Sequence, residues 1–425
     1  MVKESQHRFL FLQGPHGPFF RRLGRSLRTA GAQVYRVGFN AGDRAFWWKS
    51  PNYIPYTGSQ ADWPAALSQI IATHQITDIV LYGDTRPIHA EAVRQAKDRG
   101  LRIHVFEEGY MRPYWVTYER GGSNGFSPLM KLSLDDMRAR LACSGVDVPT
   151  PPTHWGDMRQ HIFYGALYHW FVLFRNGKYP AFQPHRALPI RTEAWLYSKR
   201  LLLMPYLAAE RSYATRKIKA AGYPYHIALL QLEHDASFQA HSTFHEMREF
   251  VQVVIDGFAA GAPAHHHLVF KAHPLENGQS PLHKLIRDIA QNHAIAPRVH
   301  YVRGGKLAQL LDEARSAVTV NSTSGQQALW RGIPLRVFGT AVYDKPELVS
   351  HQPLRLFFAN PQAPDHAAYR DYRQFLLQTS QIPGGFYSHK GRRQLMRQLT
   401  DRMLAQAGPY EAKADVTPPM IRSVN

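Results

Sequence analysis

His267-Leu268-Val269-Phe270-Lys271-Ala272-His273-Pro274 decides the fold. A short apolar run stops abruptly at a cation, an imidazole and a proline, as a buried strand does where it meets a site. Two other runs stop in the same way. Arg102-Ile103-His104-Val105-Phe106 ends at Glu107-Glu108-Gly109, and Ala317-Val318-Thr319-Val320 ends at Asn321-Ser322-Thr323-Ser324-Gly325. In open α/β sheets, ligands bind at such strand carboxyl ends. The three stretches therefore predict an α/β protein with one polar site between two sheets.

Outward from these stretches the pattern repeats. Phe9 to Leu12, the turn Gly14-Pro15-His16-Gly17-Pro18, a helix over Phe19 to Ala30 and a strand over Gln33 to Phe39 form a βαβ unit. The prolines interrupt any G-x-G-x-x-G spacing, so no dinucleotide fingerprint is present. Helices over Trp63 to His74 and Pro87 to Asp98 alternate with strands over Asp78 to Tyr82 and Arg102 to Phe106, which predicts a parallel, doubly wound sheet. A second series begins at Tyr225, with strands over His226 to Leu230, His267 to Phe270, Val299 to Val302, Ala317 to Val320 and Leu335 to Phe338, and a helix over Lys306 to Ala314. The expected units are an N-terminal domain over 1–150, a helical basic and aromatic segment over 151–220 opened by Pro151-Pro152, a second α/β domain over 221–380, and a C-terminal helix and frayed tail over 381–425. Two readings of the 151–220 segment stay open: two helices packed on the first domain, or an interfacial surface whose aromatics meet acyl chains while Arg and Lys meet head groups.

The chain has 425 residues and a formal charge of +19, with 44% hydrophobic residues. That field favours a polyanionic partner: nucleic acid, an anionic membrane or a phosphorylated substrate. No nucleic-acid motif accompanies it, so nucleic acid is not the expected partner. The single Cys143 excludes an internal disulfide and reads as a small buried residue. Phe9-Leu10-Phe11-Leu12 is too short for a signal-peptide core, and no long uncharged stretch spans a bilayer. The expected location is the cytoplasm or the inner face of a membrane.

Adjacent carboxylates such as Glu107 and Glu108 split their pKa values, which suits acid/base work on a sugar hydroxyl, although an exposed acidic pair is common. Gly109 would allow a ligand close approach. Asp235, in Gln231-Leu232-Glu233-His234-Asp235, could attack an anomeric carbon; spacing alone favours a helix cap. Lys271 and His273 could bind a phosphate, with Pro274 restricting the backbone at His273. Ser322, Thr323 and Ser324 could bind phosphate at a helix start or serve as an ordinary cap. His265-His266-His267 precedes a strand without completing a ligand set, and Asp135-Asp136 reads as helix-start charge, so no metal is expected.

Taken in order, Gly14-Pro15-x-x-Pro18-Phe19-Phe20, Gly42-Asp43, Gly83-Asp84, Glu107-Glu108-Gly109-Tyr110-x-Arg112-Pro113, Gln231-x-x-x-Asp235, His273-Pro274 and Ser322-Thr323-Ser324 resemble the bacterial capsule polysaccharide biosynthesis family of the KpsS/LipB type. The acidic doublet, the His-Pro and the Ser/Thr set also look like those of bacterial CMP-sugar sialyltransferases. The resemblance implies a GT-B arrangement of two Rossmann-like domains facing across a cleft. It implies transfer of Kdo (3-deoxy-D-manno-octulosonic acid) from CMP-β-Kdo, with retention and without a metal or other cofactor, to a lysophosphatidylglycerol acceptor. It further implies work at an anionic inner-membrane surface beside a KpsC-type transferase and the capsule export machinery. By the same resemblance Asp235 is the nucleophile and Glu108 or Glu107 the acid/base. Lys271, His273, Pro274, Ser322, Thr323, Ser324 and Gln231 bind the donor, and Gly14, His16, Asp84, Tyr110 and Arg112 lie on the acceptor side. A same-fold transferase with another nucleotide sugar, or a non-catalytic export scaffold, are the rival readings.

Overall fold

The computed structural model describes residues 7–142, 158–183, 190–274, 276 and 281–411. Cys143, Pro151-Pro152 and the tail beyond Glu411 lie outside the described residues. Twelve strands are seen among them: β1 (Arg8–Phe11), β2 (Gln33–Gly38), β3 (Tyr53–Pro55), β4 (Asp78–Tyr82), β5 (Arg102–Glu108), β6 (Trp115–Arg120), β7 (Tyr225–Leu229), β8 (His267–Lys271), β9 (Val299–Val302), β10 (Ala314–Thr319), β11 (Leu335–Val337) and β12 (Gln381–Pro383).

They form two sheets, ordered β12-β6-β5-β4-β1-β2-β3 and β11-β10-β7-β8-β9. The second is parallel throughout, and so is the first from β5 to β3. Each parallel set runs outward from its first strand on both sides. The order therefore reverses between β1 and β4 and again between β7 and β10, where doubly wound sheets hold ligands. The protein is α/β and GT-B-like, with a Rossmann-like doubly wound sheet in each half. Phe9, Leu10, Ile79, Val80, Ile227, Val269 and Val318 are buried at the sheet centres, as continuous apolar strands covered on both faces require.

Several expectations change. Of the segment kept apart as a C-terminal helix and tail, β12 and the His389–Leu404 helix return to the first half. Strand β12 pairs antiparallel with β6, and the His389–Leu404 helix packs on the Phe19–Thr29 helix, with Ser26 Oγ 2.7 Å from Thr400 Oγ1. Conversely, Tyr110, Met111 and the stretch from Leu129 to Met137 join the core of the second half, where Leu129 and Met137 pack with Ala328, Leu329 and Tyr372, while β6 between them stays in the first sheet. The halves are thus exchanged at both junctions rather than strung in series. The helix expected over Lys306 to Ala314 shrinks to Ala308–Leu311, because Ala314 already begins β10.

The two helices of the 151–220 segment also part company. Met158–Arg175 packs on the Ala41–Phe46 helix of the first half, with Asn40 Nδ2 donating to Tyr168 Oη at 2.6 Å. Ile190–Ala221 instead leans on the second half. Ile218 is buried there, and Lys219 pairs with Glu313 at 2.9 Å. No helix among the described residues is long and apolar enough to cross a membrane.

One charged cluster ties the first sheet together. Fully buried Asp78 on β4 meets His104 Nε2 and Arg102 Nε of β5, each at 2.9 Å. Burial pushes the Asp78 carboxyl up, but hydrogen bonds and charge from His104, Thr77 and Arg102 outweigh it and hold the group well below the usual range. Asp78→Ala leaves the buried His104 imidazole and the half-buried Arg102 guanidinium without their carboxylate and should destabilise the fold by about 3–5 kcal/mol in denaturant titration. Because the folded-state pKa is depressed, the contribution of Asp78 is present above the ordinary carboxylate range and is lost as pH falls below it.

Candidate active site

Both sheets send their carboxyl ends into one cleft. The first half supplies Tyr82, Gly83, Thr85, Arg86, Glu107, Glu108, Arg112 and Asn124. The second half supplies Gln231, Asp235 and Ser237 after β7, His273 after β8, and Asn321 to Ser324 after β10. The loops after β7 and β10 flank that sheet's reversal point, as the topology dictates. The cleft encloses about 200 Å³. That is below the roughly 300–1,000 Å³ of ordinary ligand pockets, so a nucleotide sugar must reach past the mouth or part the two halves.

Glu107 and Glu108 are the last two residues of β5 rather than a loop beyond it, and pairing with β6 places them opposite Thr117 and Val116. Alternation along the strand separates their environments. The Glu107 carboxyl is pushed up to about 7, chiefly by burial; the backbone N–H of Glu108 opposes this, the Glu108 charge adds to it, Arg112 opposes it, and Asp235 adds to it. Glu108 accepts from Tyr82 Oη at 3.2 Å and lies against Tyr387. Of the pair, Glu107 is therefore the one poised to exchange a proton near neutrality. The mutual effect of Glu107 and Asp235 also places those two carboxylates, from opposite sheets, within electrostatic reach.

Asp235 is the helix cap that its spacing favours, and it also reaches the cleft. Its carboxylate accepts from Ser237 N at 2.9 Å, capping the Ala236–His241 helix, and it lines the cleft. Gln231 lines the cleft too, but its amide is engaged: it donates to Asn321 Oδ1 at 2.8 Å and accepts from Asn321 N at 3.0 Å. Gln231 thus positions the Asn321–Ser324 turn. In that turn the N–H groups of Ser324, Gly325, Gln326 and Gln327 bond to Ser322 Oγ and to the Ser322, Thr323 and Ser324 carbonyls. The hydroxyls, not those amides, are what the turn offers to a phosphate.

Other expected site residues sit elsewhere. The Lys271 ammonium is buried, donates to the Ala272 carbonyl at 3.1 Å and is not part of the cleft lining; burial and Arg211 lower its pKa to about 8. Pro274 is outside the lining and packs near Gly304. Tyr110 is a core residue: its hydroxyl donates to Glu119 at 2.8 Å and accepts from Asn124 N at 2.7 Å, which holds Asn124 at the cleft. Asp84 turns inward to accept from Ser123 N at 2.7 Å, and burial raises its pKa. Gly14 packs on Phe20 and His16 stacks on Tyr168 at 4.2 Å, which places both outside the cleft lining. Gly109 admits not a ligand but a strand: a Cβ there would lie 2.3 Å from the Trp115 carbonyl oxygen of β6. The close turn belongs to Gly83, whose φ of 69° carries the chain under Glu107.

Sequence reasoning overlooked Tyr82, Thr85, Arg86, Asn124 and Ser237. Tyr82 and Arg86 flank Gly83 and could have been read from that strand end; Asn124 reaches the cleft only through the tertiary fold. Two residues of the histidine triplet are engaged within the protein: His226 bridges His266 and Ser316 at 3.0 and 2.7 Å, and His267 stacks on Tyr223 at 3.6 Å with its Nδ1 2.9 Å from His300 Nε2. Asp136 caps its own helix by accepting from Ser133 N at 2.8 Å.

Comparison with known proteins bears on this site. The family model described as capsule polysaccharide biosynthesis protein matches residues 77–387. Over 391 residues the chain is 31% identical to the capsule polysaccharide export protein KpsS of Escherichia coli, covering 90% of this chain and 97% of that one. It is 33% identical over 391 residues to the capsule polysaccharide modification protein LipB of Neisseria meningitidis serogroup B, covering 91% and 93%. Among solved structures, the Thermosulfurimonas dismutans KpsC β-Kdo 2,7 transferase aligns with a TM-score of 0.46 at 11% identity, over 92% of this chain and 99% of that one.

Proposed function

The chain belongs to the capsule polysaccharide biosynthesis family, and from that membership we propose that it is a glycosyltransferase moving Kdo from CMP-β-Kdo, with retention, onto a lysophosphatidylglycerol acceptor. One observation carries the chemistry: Asp235 and the proton-poised Glu107 come from opposite sheets to line the same cleft as His273 and the hydroxyls of Ser322, Thr323 and Ser324. The choice of Kdo, CMP and lipid rests on the resemblance of the ordered motifs to the family.

In the first step the Asp235 carboxylate attacks the anomeric carbon, the bond to the phosphate oxygen breaks, and CMP leaves with the electron pair. His273, Ser322, Thr323 and Ser324 receive the phosphate, and Arg86 and Arg112 add positive charge at the cleft. In the second step the acceptor hydroxyl attacks the same carbon, its proton passes to the Glu107 carboxylate, and Asp235 is released. Two inversions retain the configuration. These cations offset the phosphate charge, so activity should survive a chelator.

The protein, incubated with CMP-Kdo generated in place, lysophosphatidylglycerol and EDTA, should yield a product heavier by one Kdo in mass spectrometry. No transfer, with or without a KpsC-type partner, would overturn the reading. CMP at 100 times its Kd should stabilise the fold by about 2.7 kcal/mol in thermal denaturation. Selective stabilisation by UDP would point instead to a different nucleotide sugar.

A further inference from the structure

Away from the cleft, the Phe19–Thr29 helix sets Arg21, Arg22, Arg25 and Arg28 against the turn carrying Trp48 and Lys49. The space between them is about 610 Å³, and the residues lining it include no carboxylate. Like charges on one helix face repel, so an arrangement of this kind asks for an anion. Arg28 Nη1 is buried there without a hydrogen-bond partner, and burial followed by the Arg25 charge lowers the Arg28 pKa. Arg21 donates to the Trp48 carbonyl at 3.4 Å, and the Lys49 ammonium lies 4.9 Å from the Trp48 ring centre. An arginine fork with an unmet donor is suited to a phosphate oxygen.

The neighbouring surface narrows the choice of anion. Phe46, just before Trp47 and Trp48, packs on Tyr164 and Tyr168 of the Met158–Arg175 helix. The outward face of that helix carries Phe163, Trp170, Leu173 and Phe174, exposed by 61%, 45%, 37% and 63%, at spacings that share one helical face. On the touching Ile190–Ala221 helix, Leu202 and Met204 are exposed by 80% and 56%. A nucleic acid would use the cations and the rings but not exposed aliphatic side chains. An anionic bilayer uses all three, with phosphates on the cations and acyl chains beneath the apolar face.

We propose that the groove of Arg21, Arg22, Arg25, Arg28 and Lys49 is a phospholipid head-group site that seats the protein on an anionic membrane, with the outward face of the Met158–Arg175 helix entering the acyl boundary. The site is separate from the cleft and holds whether or not the cleft transfers a sugar.

Vesicle flotation tests it with the full chain. Protein should float with phosphatidylcholine vesicles containing phosphatidylglycerol and stay behind with phosphatidylcholine alone. Arg21→Gln combined with Arg25→Gln should weaken partition by on the order of tenfold, from the loss of two surface cations. Phe163→Ser combined with Phe174→Ser should weaken it comparably without changing the melting temperature. Unchanged flotation by either double variant would overturn the proposal. So would quenching of Trp48 by inorganic phosphate without any flotation, which would mark a free-phosphate site, or groove-dependent binding of RNA without flotation.

Discussion

Asp235→Asn should lower turnover by on the order of 10³-fold or more while leaving the melting temperature within a degree or so of the parent. The reasoning lies in the two roles of this side chain. As a cap, Asp235 uses one carboxylate oxygen to accept from Ser237 N, and an asparagine amide oxygen replaces it at little cost. As a nucleophile, it needs the anion, and an amide cannot supply it. Asp235→Ala would mix the two losses, since removing a cap by itself costs about 0.5–2 kcal/mol. The asparagine variant separates them. Near-normal Kdo transfer by a folded Asp235→Asn would remove Asp235 from the chemistry and leave it a cap that happens to border the cleft. Loss of transfer accompanied by a lowered melting temperature would argue that the cap, not the charge, is what matters.

Glu107→Gln should cost about 10²–10⁴ in kcat, the usual contribution of a positioned acid/base, and should abolish the pH dependence that the parent shows. With its carboxyl pushed up to about 7 by burial, Glu107 is only partly ionised at neutrality. A group acting as a base must be ionised, so parental turnover should rise with pH through about 7 and fall about tenfold per unit below it. Stability moves the other way. The folded-state pKa lies above the ordinary 4.5, so the stabilisation from the neutral buried carboxyl is full below 4.5 and is lost as pH rises through 7. Glutamine is neutral at every pH and avoids that loss. Glu107→Gln should therefore be at least as stable as the parent at pH 8, by thermal denaturation, while nearly inactive. Loss of activity together with loss of stability would mean that the substitution disturbs the cleft rather than its chemistry.

Much of this architecture was legible before any coordinates. Each apolar run that ends in a polar, Gly or Pro break became a parallel strand, because buried parallel strands need continuous apolar residues and their ends need turns. Trp63 to His74, Pro87 to Asp98 and Asp78 to Tyr82 fall where the periodicity put them. The expectations that changed concern residues whose roles depend on distant chain. Tyr110 looks like a ligand contact beside Glu107-Glu108-Gly109, yet it is taken up by Glu119 and Asn124. Lys271 looks like a phosphate ligand beside His273, yet its ammonium is buried on the Ala272 carbonyl, near Arg211 of the Ile190–Ala221 helix. Strand alternation divides Glu107 from Glu108.

Local sequence determined, alone, the parallel strands of both sheets and the strand ends from which Glu107, Asp235, His273 and Ser322 arise, because hydrophobic period and turn chemistry act over a few residues. Only the tertiary structure decided which of those side chains meet. Burial and charge at Glu107 come from atoms on Asp235, Glu108 and Arg112, and the return of β12 and the His389–Leu404 helix to the first sheet joins residues more than 250 positions apart. Such long-range packing and electrostatics depend on distances through space, which no local pattern encodes.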